Sequence, residues 1–237
     1  MTILMYHRVT EDGPLGLERW RVSPAEFAKQ MAYLKGAGFT SIGLDDWLNT
    51  QRRDPASLGQ RVVLTFDDAY EDFITTAFPV LQQHGFGATI FVPTKFVGGR
   101  AEWDAEFGNP APLLSWDELS ALADLGLEIG AHTISHPHLT WLTDEEEIRR
   151  EVRDSRLVLE DKFGRPVTTF AYPYGDHNEV VREAVKAAGY TLAVTIDPES
   201  AGHFALGRQG VFGGEPLEVF VEKLRGQASL SPDPSML

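Results

Sequence analysis

The 237-residue chain carries 21 Lys and Arg against 35 Asp and Glu, a formal net charge of -14, which works against nucleic acid and anionic lipid as partners through plain repulsion. It has no cysteine, so disulfides and thiolate metal sites are excluded. Hydrophobic residues make up 43% of it, enough for a sizeable core, yet no apolar run reaches the roughly 18 residues that a membrane span needs.

The opening, MTILMYHRV, has neither the basic nor the long apolar region of a secretion signal, and we expect a cytoplasmic protein without membrane insertion. From there short β-rich runs alternate with segments that carry helix signals. ILMY, residues 3–6, ends on His7. Ser23, Pro24 and Glu26 then supply an N-cap, a first-turn proline and the acid that closes a capping box. FTSI (39–42) follows, and VVLTF (62–66) runs straight into Asp67 and Asp68, with a helix expected from about Tyr70. After ATIFV (88–92) the segment from Pro93 to Pro112 is too long for a plain connection and is expected to lie over the strand ends. A second capping box opens at Ser115, LEIGA (127–131) ends on His132, and a third box is read at Thr143. Beyond it Ile148, Val152, Leu159 and Phe163 fall on one apolar stripe, ending at Gly164 before Pro166. TTFAY (168–172), TLAVTI (191–196) and RQGVF (208–212) complete the series, and residues 226–237 read as a frayed tail.

Each run is nearly continuously apolar, as in parallel strands covered on both faces. The alternation predicts an α/β fold, one distorted (β/α)7–8 TIM-like barrel domain over residues 1–225, with a doubly wound open sheet as the rival. No glycine-rich phosphate loop follows an early strand, which weakens the dinucleotide-binding form of that rival. In a parallel barrel the C-terminal strand ends converge on the face that carries chemistry. His7, Asp67, Asp68, His132, Tyr172 to Tyr174 and Asp197 all stand at such ends.

Two adjacent carboxylates at the end of a buried strand need compensation. HTISHPH offers it: His132 and His136 are four apart, so one turn, or a tight loop in its place, points both imidazoles the same way. Two imidazoles and a carboxylate suit a catalytic divalent metal with positions left for water or substrate. Neighbouring strand residues face opposite ways unless the backbone turns, which suggests one carboxylate on the metal and the other beside it as a base. The plainer reading of the aspartates is a helix N-cap with a solvated neighbour.

With the Asp-Asp pair and H-x-x-x-H in this order on a β/α chain, the sequence resembles the polysaccharide deacetylases of carbohydrate esterase family 4, the NodB-type deacetylases. TFDDAY is similar to their first motif, HTISH to their second and AYPYG to a variant of their third. The opening ILMYHRV resembles the branch that includes poly-N-acetylglucosamine deacetylases, and the match runs from about residue 3 to 225. The resemblance implies a distorted barrel, usually counted with seven strands. It implies Zn²⁺, or another divalent ion such as Co²⁺, Ni²⁺ or Fe²⁺, held by Asp68, His132 and His136, with Asp67 as general base. It also implies the backbone N–H of Tyr174 as an oxyanion donor, Tyr172 and Pro173 as substrate-binding wall, and an N-acetylated sugar or polysaccharide as the substrate that loses acetate.

The chain departs from the family pattern in three places. Ala171 stands where many relatives have Arg, and Arg208 is the candidate to supply that cation from another strand. No histidine follows Leu206, where relatives carry a general acid; His7 and His203 are the candidates, His7 the better because it ends the first strand. VTIDPES does not match the aspartate-and-tryptophan motif, and Asp197 is read as capping a turn. Trp103, Trp116 and Trp141 fall near the expected rim, where an indole can stack on a sugar, core packing being the other use of at least one. Other readings keep part of the pattern: hydrolysis of another C–N bond in a small amide or cyclic ureide, or a non-catalytic carbohydrate-binding protein of the same fold. A non-haem Fe(II) oxygenase shares the donor set but fits the β/α alternation poorly.

Overall fold

The apolar runs form short parallel strands in a computed structural model that describes residues 2–54 and 58–225; the tail read at 226–237 lies outside the described residues. In chain order the strands are β1 (Thr2–Tyr6), β2 (Arg8–Val9), β3 (Arg21–Val22), β4 (Thr40–Ser41), β5 (Arg61–Phe66) and β6 (Thr89–Val92). They continue with β7 (Glu128–Ala131), β8 (Thr169–Ala171), β9 (Leu192–Val194), β10 (Ala201–Gly202), β11 (Ala205–Leu206) and β12 (Gln209–Gly210). The helices between and after them are α1 (Pro24–Gly36), α2 (Leu44–Arg53), α3 (Phe78–His84), α4 (Trp116–Asp124), α5 (Glu145–Phe163), α6 (Glu179–Ala187) and α7 (Leu217–Lys223).

Strands β12, β1, β5, β6, β7, β8, β9 and β11 stand side by side in that order and parallel. β4 joins the N-terminal end of β5, and β10 adds antiparallel to β11. The ring closes through the chain itself. Leu206 pairs with Val194 of β9, and three residues later Gln209 pairs with Leu4 of β1, so Gly207 and Arg208 cross the gap between the two edges. β11 and β12 thus act as one bent strand and complete a barrel of seven positions with β1, β5, β6, β7, β8 and β9. A Cβ on residue 207 would lie 2.3 Å from the Asp197 carbonyl oxygen, so glycine is what permits this close approach.

Alternation along the strands builds two cores. Ile3, Val63, Phe91, Leu192, Val194 and Leu206 pack inside the barrel with Leu44, Trp47 and Leu48 of α2. Leu4, Tyr6, Val62, Leu64, Ile90 and Val92 face outward against the helices. At the N-terminal strand ends the Glu128 carboxylate accepts from the hydroxyls of Thr89 and Thr169 and from the Asp45 N–H at the start of α2. That end is therefore plugged, and chemistry is left to the other.

The capping boxes at Ser23 and Ser115 form as read. The third does not: α5 starts one residue later, on Asp144, whose carboxylate accepts from the Glu146 N–H. An ionised acceptor suits the positive end of a helix better than the Thr143 hydroxyl. Along α5 Ile148, Val152 and Leu159 are buried, Phe163 packs against the core, and Gly164 ends the helix at φ +64°. The helix expected from Tyr70 begins only at Phe73, as a π-helical turn that leads into α3. Left-handed backbone at Asp68 and Ala69 and an isolated bridge from Tyr70 to Leu113 occupy the intervening residues. No helix among the described residues is long and apolar enough to cross a membrane.

Candidate active site

The Asp67 N–H donates to the Tyr6 carbonyl at 3.0 Å, carrying the β1–β5 ladder one residue past β5. At Asp68 the backbone swings to φ +73°, and Ala69 follows at +56°. That turn removes the alternation which would have sent the two side chains apart, and both buried carboxylates enter one pocket. Asp67 is held by the Arg208 guanidinium in a two-pronged pair, Nη1 to Oδ1 and Nη2 to Oδ2, both 2.7 Å. Arg208 lies inside the barrel rather than on its surface, with Nη1 also donating to Thr65 Oγ1, Nε to the Thr195 carbonyl, and the guanidinium over the Phe91 ring. Burial acts to raise the Asp67 pKa, but the Arg208 charge and hydrogen bonds override it and hold the carboxyl below its ordinary range. The cation missing at Ala171 thus has a counterpart reaching Asp67 from the barrel seam.

Asp68 faces the histidines. Its Oδ1 lies 3.3 Å from His132 Nε2 and 3.1 Å from His136 Nε2, and all three groups are buried. His132 Nδ1 is 2.7 Å from the Ala171 carbonyl, which only accepts, so Nδ1 carries a proton and Nε2 is the nitrogen turned toward Asp68 and left to serve as a metal ligand. The loop between the histidines is a tight one rather than a helical turn, with Thr133 at φ +65° and His136 at +58°. Glu151 of α5 anchors it, accepting from the N–H groups of Ile134 and Ser135 and from the Ser135 hydroxyl.

These three residues fit a divalent cation. Asp68 Oδ1 is buried without a hydrogen bond of good geometry, although two imidazole nitrogens stand near it. Donors bonded tetrahedrally to Zn²⁺ at about 2.0–2.1 Å sit about 3.3 Å apart, close to the spacings found here. Neutral imidazoles and a carboxylate suit zinc and several other divalent ions. Burial raises and the two histidines lower the Asp68 pKa, leaving it well below the ordinary value and the carboxylate ionised.

The cavity above these groups has a volume of about 290 Å³. His7 lines it with Nε2 4.0 Å from Asp67 Oδ2 and its ring on Trp20 at 4.6 Å; burial lowers its pKa against the pull of Asp67 and Asp68. Tyr172 and Tyr174 also line it. The Tyr172 hydroxyl donates to the Phe204 carbonyl, so this side chain offers the cavity shape, while Tyr174 is held at φ +58°. Pro173 is buried and is not a lining residue; it opens the short turn that presents Tyr174. His203 and Asp197 lie outside the cavity, and Asp197 accepts the Glu199 N–H in a local turn as expected. Trp103 stacks on His136 at 4.4 Å, whereas Trp116 packs with Phe163. The long segment after β6 does cover the strand ends, adding Asp104, whose carboxylate accepts the Tyr70 hydroxyl at 2.8 Å. Trp20, Tyr70 and Asp104 had no signal in the sequence beyond their residue types, because Trp20 and Asp104 sit on short 3-10 helical turns, Tyr70 lies in the turn after β5, and all three owe their role to neighbours remote along the chain.

The polysaccharide deacetylase family profile matches residues 55–193. The chain is 30% identical over 234 residues to YxkH of Bacillus subtilis (strain 168), across 95% of this chain and 77% of that one. It is 25% identical over 216 residues to the poly-beta-1,6-N-acetyl-D-glucosamine N-deacetylase of Staphylococcus aureus (strain MRSA252), across 83% of this chain and 72% of the relative. Among solved structures, IcaB from Ammonifex degensii superposes with a TM-score of 0.78 at 26% identity, covering 96% of this chain and 97% of the other. The Streptococcus pyogenes deacetylase PplD, solved with acetate, shares the fold with a TM-score of 0.80 at 23% identity, covering 94% and 97%.

Proposed function

The chain belongs to the polysaccharide deacetylase family, and on that premise we propose that it hydrolyses the acetamide of an N-acetylated sugar or polysaccharide, releasing acetate and a free amine. The observation that carries this reading is the convergence of Asp68 Oδ1, His132 Nε2 and His136 Nε2 beside an Asp67 carboxylate clamped by Arg208. Asp68, His132 and His136 would hold the divalent ion, Zn²⁺ or in its place Co²⁺, Ni²⁺ or Fe²⁺. Bound there, such an ion supplies a lowered water pKa and a polarised carbonyl oxygen.

The remaining work falls to the protein. Asp67, ionised under the Arg208 fork, takes the proton of the attacking water as its oxygen adds to the acetamide carbon; each carboxylate oxygen keeps a lone pair beyond its bond to the guanidinium. Arg208 does not line the cavity and acts through Asp67, so we assign it a positioning role. The Tyr174 N–H donates to the oxygen on which negative charge collects. His7, its pKa lowered by burial, takes up the proton that Asp67, 4.0 Å away, has drawn from water and gives it to the nitrogen as the C–N bond breaks. Tyr172 closes the wall against the substrate. A neutral substrate suits a chain of net charge -14.

Metal analysis of the purified protein, together with acetate release from N-acetylglucosamine oligomers, tests the proposal. Asp67→Asn should retain its metal and lose turnover by roughly 10²–10⁴-fold. Loss of metal in that variant would reverse the roles of the two aspartates. Turnover confined to small amides or cyclic ureides would move the substrate class, and sugar binding without acetate release under any divalent ion would overturn the enzymatic reading.

A further inference from the structure

A line of rings leads from the proposed metal ligands to the surface. Tyr174 meets His136 edge-on at 4.7 Å, His138 stacks on Tyr174 at 3.8 Å and 10°, and Trp141 stacks on His138 at 3.9 Å and 18°. Trp141 is 73% exposed, so with one face on His138 its other face meets water. A single exposed aromatic residue is ordinary, but this one is held in register. The Thr140 N–H and hydroxyl both bond to the Asp176 carboxylate, at 3.0 and 2.7 Å, tying the turn Leu139–Trp141 to the loop after β8 that carries Tyr174. Two loops from different strands are thus pinned so that three rings lie parallel.

We infer that the stack of Trp141 on His138 and Tyr174 is a binding site for a pyranose ring flanking the sugar that is deacetylated, an assignment that rests on the proposed function. Three observations on the structure favour a sugar as its occupant. The stack is continuous with the cavity through Tyr174, which lines it, while His138 and Trp141 stand outside it. The outer indole face is flat and apolar with a polar edge, matching the C–H face of a pyranose and its equatorial hydroxyls. The rings are packed face to face and tied by the Thr140–Asp176 bonds, so stacking a sugar on them costs little side-chain entropy. Trp141 stands two ring spacings out from Tyr174, beyond a sugar whose acetamide sits at Asp67 and Asp68. It therefore meets only a neighbouring residue of a longer chain, and its effect must grow with substrate length.

The test compares N-acetylglucosamine itself, which has no flanking ring, and its pentasaccharide on wild type, Trp141→Ala and Trp141→Phe. The preference for the pentasaccharide, read as the ratio of kcat/KM values, should shrink about fivefold to tenfold in Trp141→Ala, through KM rather than kcat, and recover in Trp141→Phe. An unchanged ratio in Trp141→Ala overturns the inference. Pentasaccharide affinity measured by calorimetry gives a readout independent of turnover. If wild type releases no acetate, the proposed function falls, and the platform stands or falls on whether affinity drops by the same factor in Trp141→Ala. Equal affinity in the two proteins, or none in either, overturns it.

Discussion

Asp68, Ala69, Thr133, His136 and Tyr174 are the non-glycine residues with positive φ among the described residues, and all of them stand in the three loops that follow β5, β7 and β8. Asp and His enter this region more readily than most types and Ala, Thr and Tyr do not, yet each of the five supplies or neighbours a group of the proposed site. Arg208 is the other decisive residue at this scale. Truncating it leaves Asp67 buried and uncompensated, so Arg208→Ala should destabilise the fold by about 3–5 kcal/mol in urea unfolding and lower kcat with metal content unchanged. Arg208→Lys returns the charge without the two-pronged geometry and should recover only part of both. Wild-type stability in Arg208→Ala would mean that Asp67 is not held as a buried anion. Asp67, Asp68, His132 and His136 were legible in the sequence because charge at the end of an apolar strand contradicts burial unless chemistry explains it. The left-handed turn at Asp68, which brings both aspartates into one pocket, was not legible, since it is imposed by the packing around it.

Local signals decided most of the elements. The boxes at Ser23 and Ser115 involve residues three apart and were readable, whereas Thr143 against Asp144 was a contest between neighbouring acceptors that spacing cannot settle. The loop carrying the histidines depends on Glu151, which lies 16 residues from Ser135 and receives three of its donors. Glu151→Ala should cost about 1–3 kcal/mol and weaken metal binding by roughly 10–100-fold, as read by a competitive chelator titration. Metal affinity equal to wild type would make that contact merely structural. The segment Glu102–Phe107 is pinned by Tyr70 to Asp104, whose pKa is pushed up to about 6, chiefly by burial, with the Tyr70 hydrogen bond opposing and Asp68 adding. An acid raised in the folded state binds its proton more tightly there than when unfolded. Its contribution is complete below the ordinary value near 3.8 and is lost as pH rises through about 6. Asp104→Asn keeps an acceptor for Tyr70 and should gain on the metal-free wild type by something of order 1 kcal/mol at neutral pH, the gain fading toward about pH 4. A gain of equal size at both pH values would remove Asp104 as its source.

Across the molecule, continuous apolar runs separated by helices were enough to indicate a parallel barrel. How it closes was not, because the closing segment Ala205–Gly210 pairs in two short pieces around Gly207 and Arg208 and has no regular pattern. Gly207→Ala should push against the Asp197 backbone and cost about 1–3 kcal/mol, with a loss of kcat beyond what stability explains, since Arg208 shifts with it. Full activity in a destabilised variant would separate the seam from the site. The seam also sets an order of events. Asp67 and the guanidinium that keeps it ionised are 141 residues apart, and synthesis delivers the aspartate first. Until the ribosome has released nearly the whole domain, the nascent polypeptide has no guanidinium to clamp that carboxylate. Competence is then among the last properties the chain acquires, because the clamp on Asp67 forms only once residue 208 has emerged.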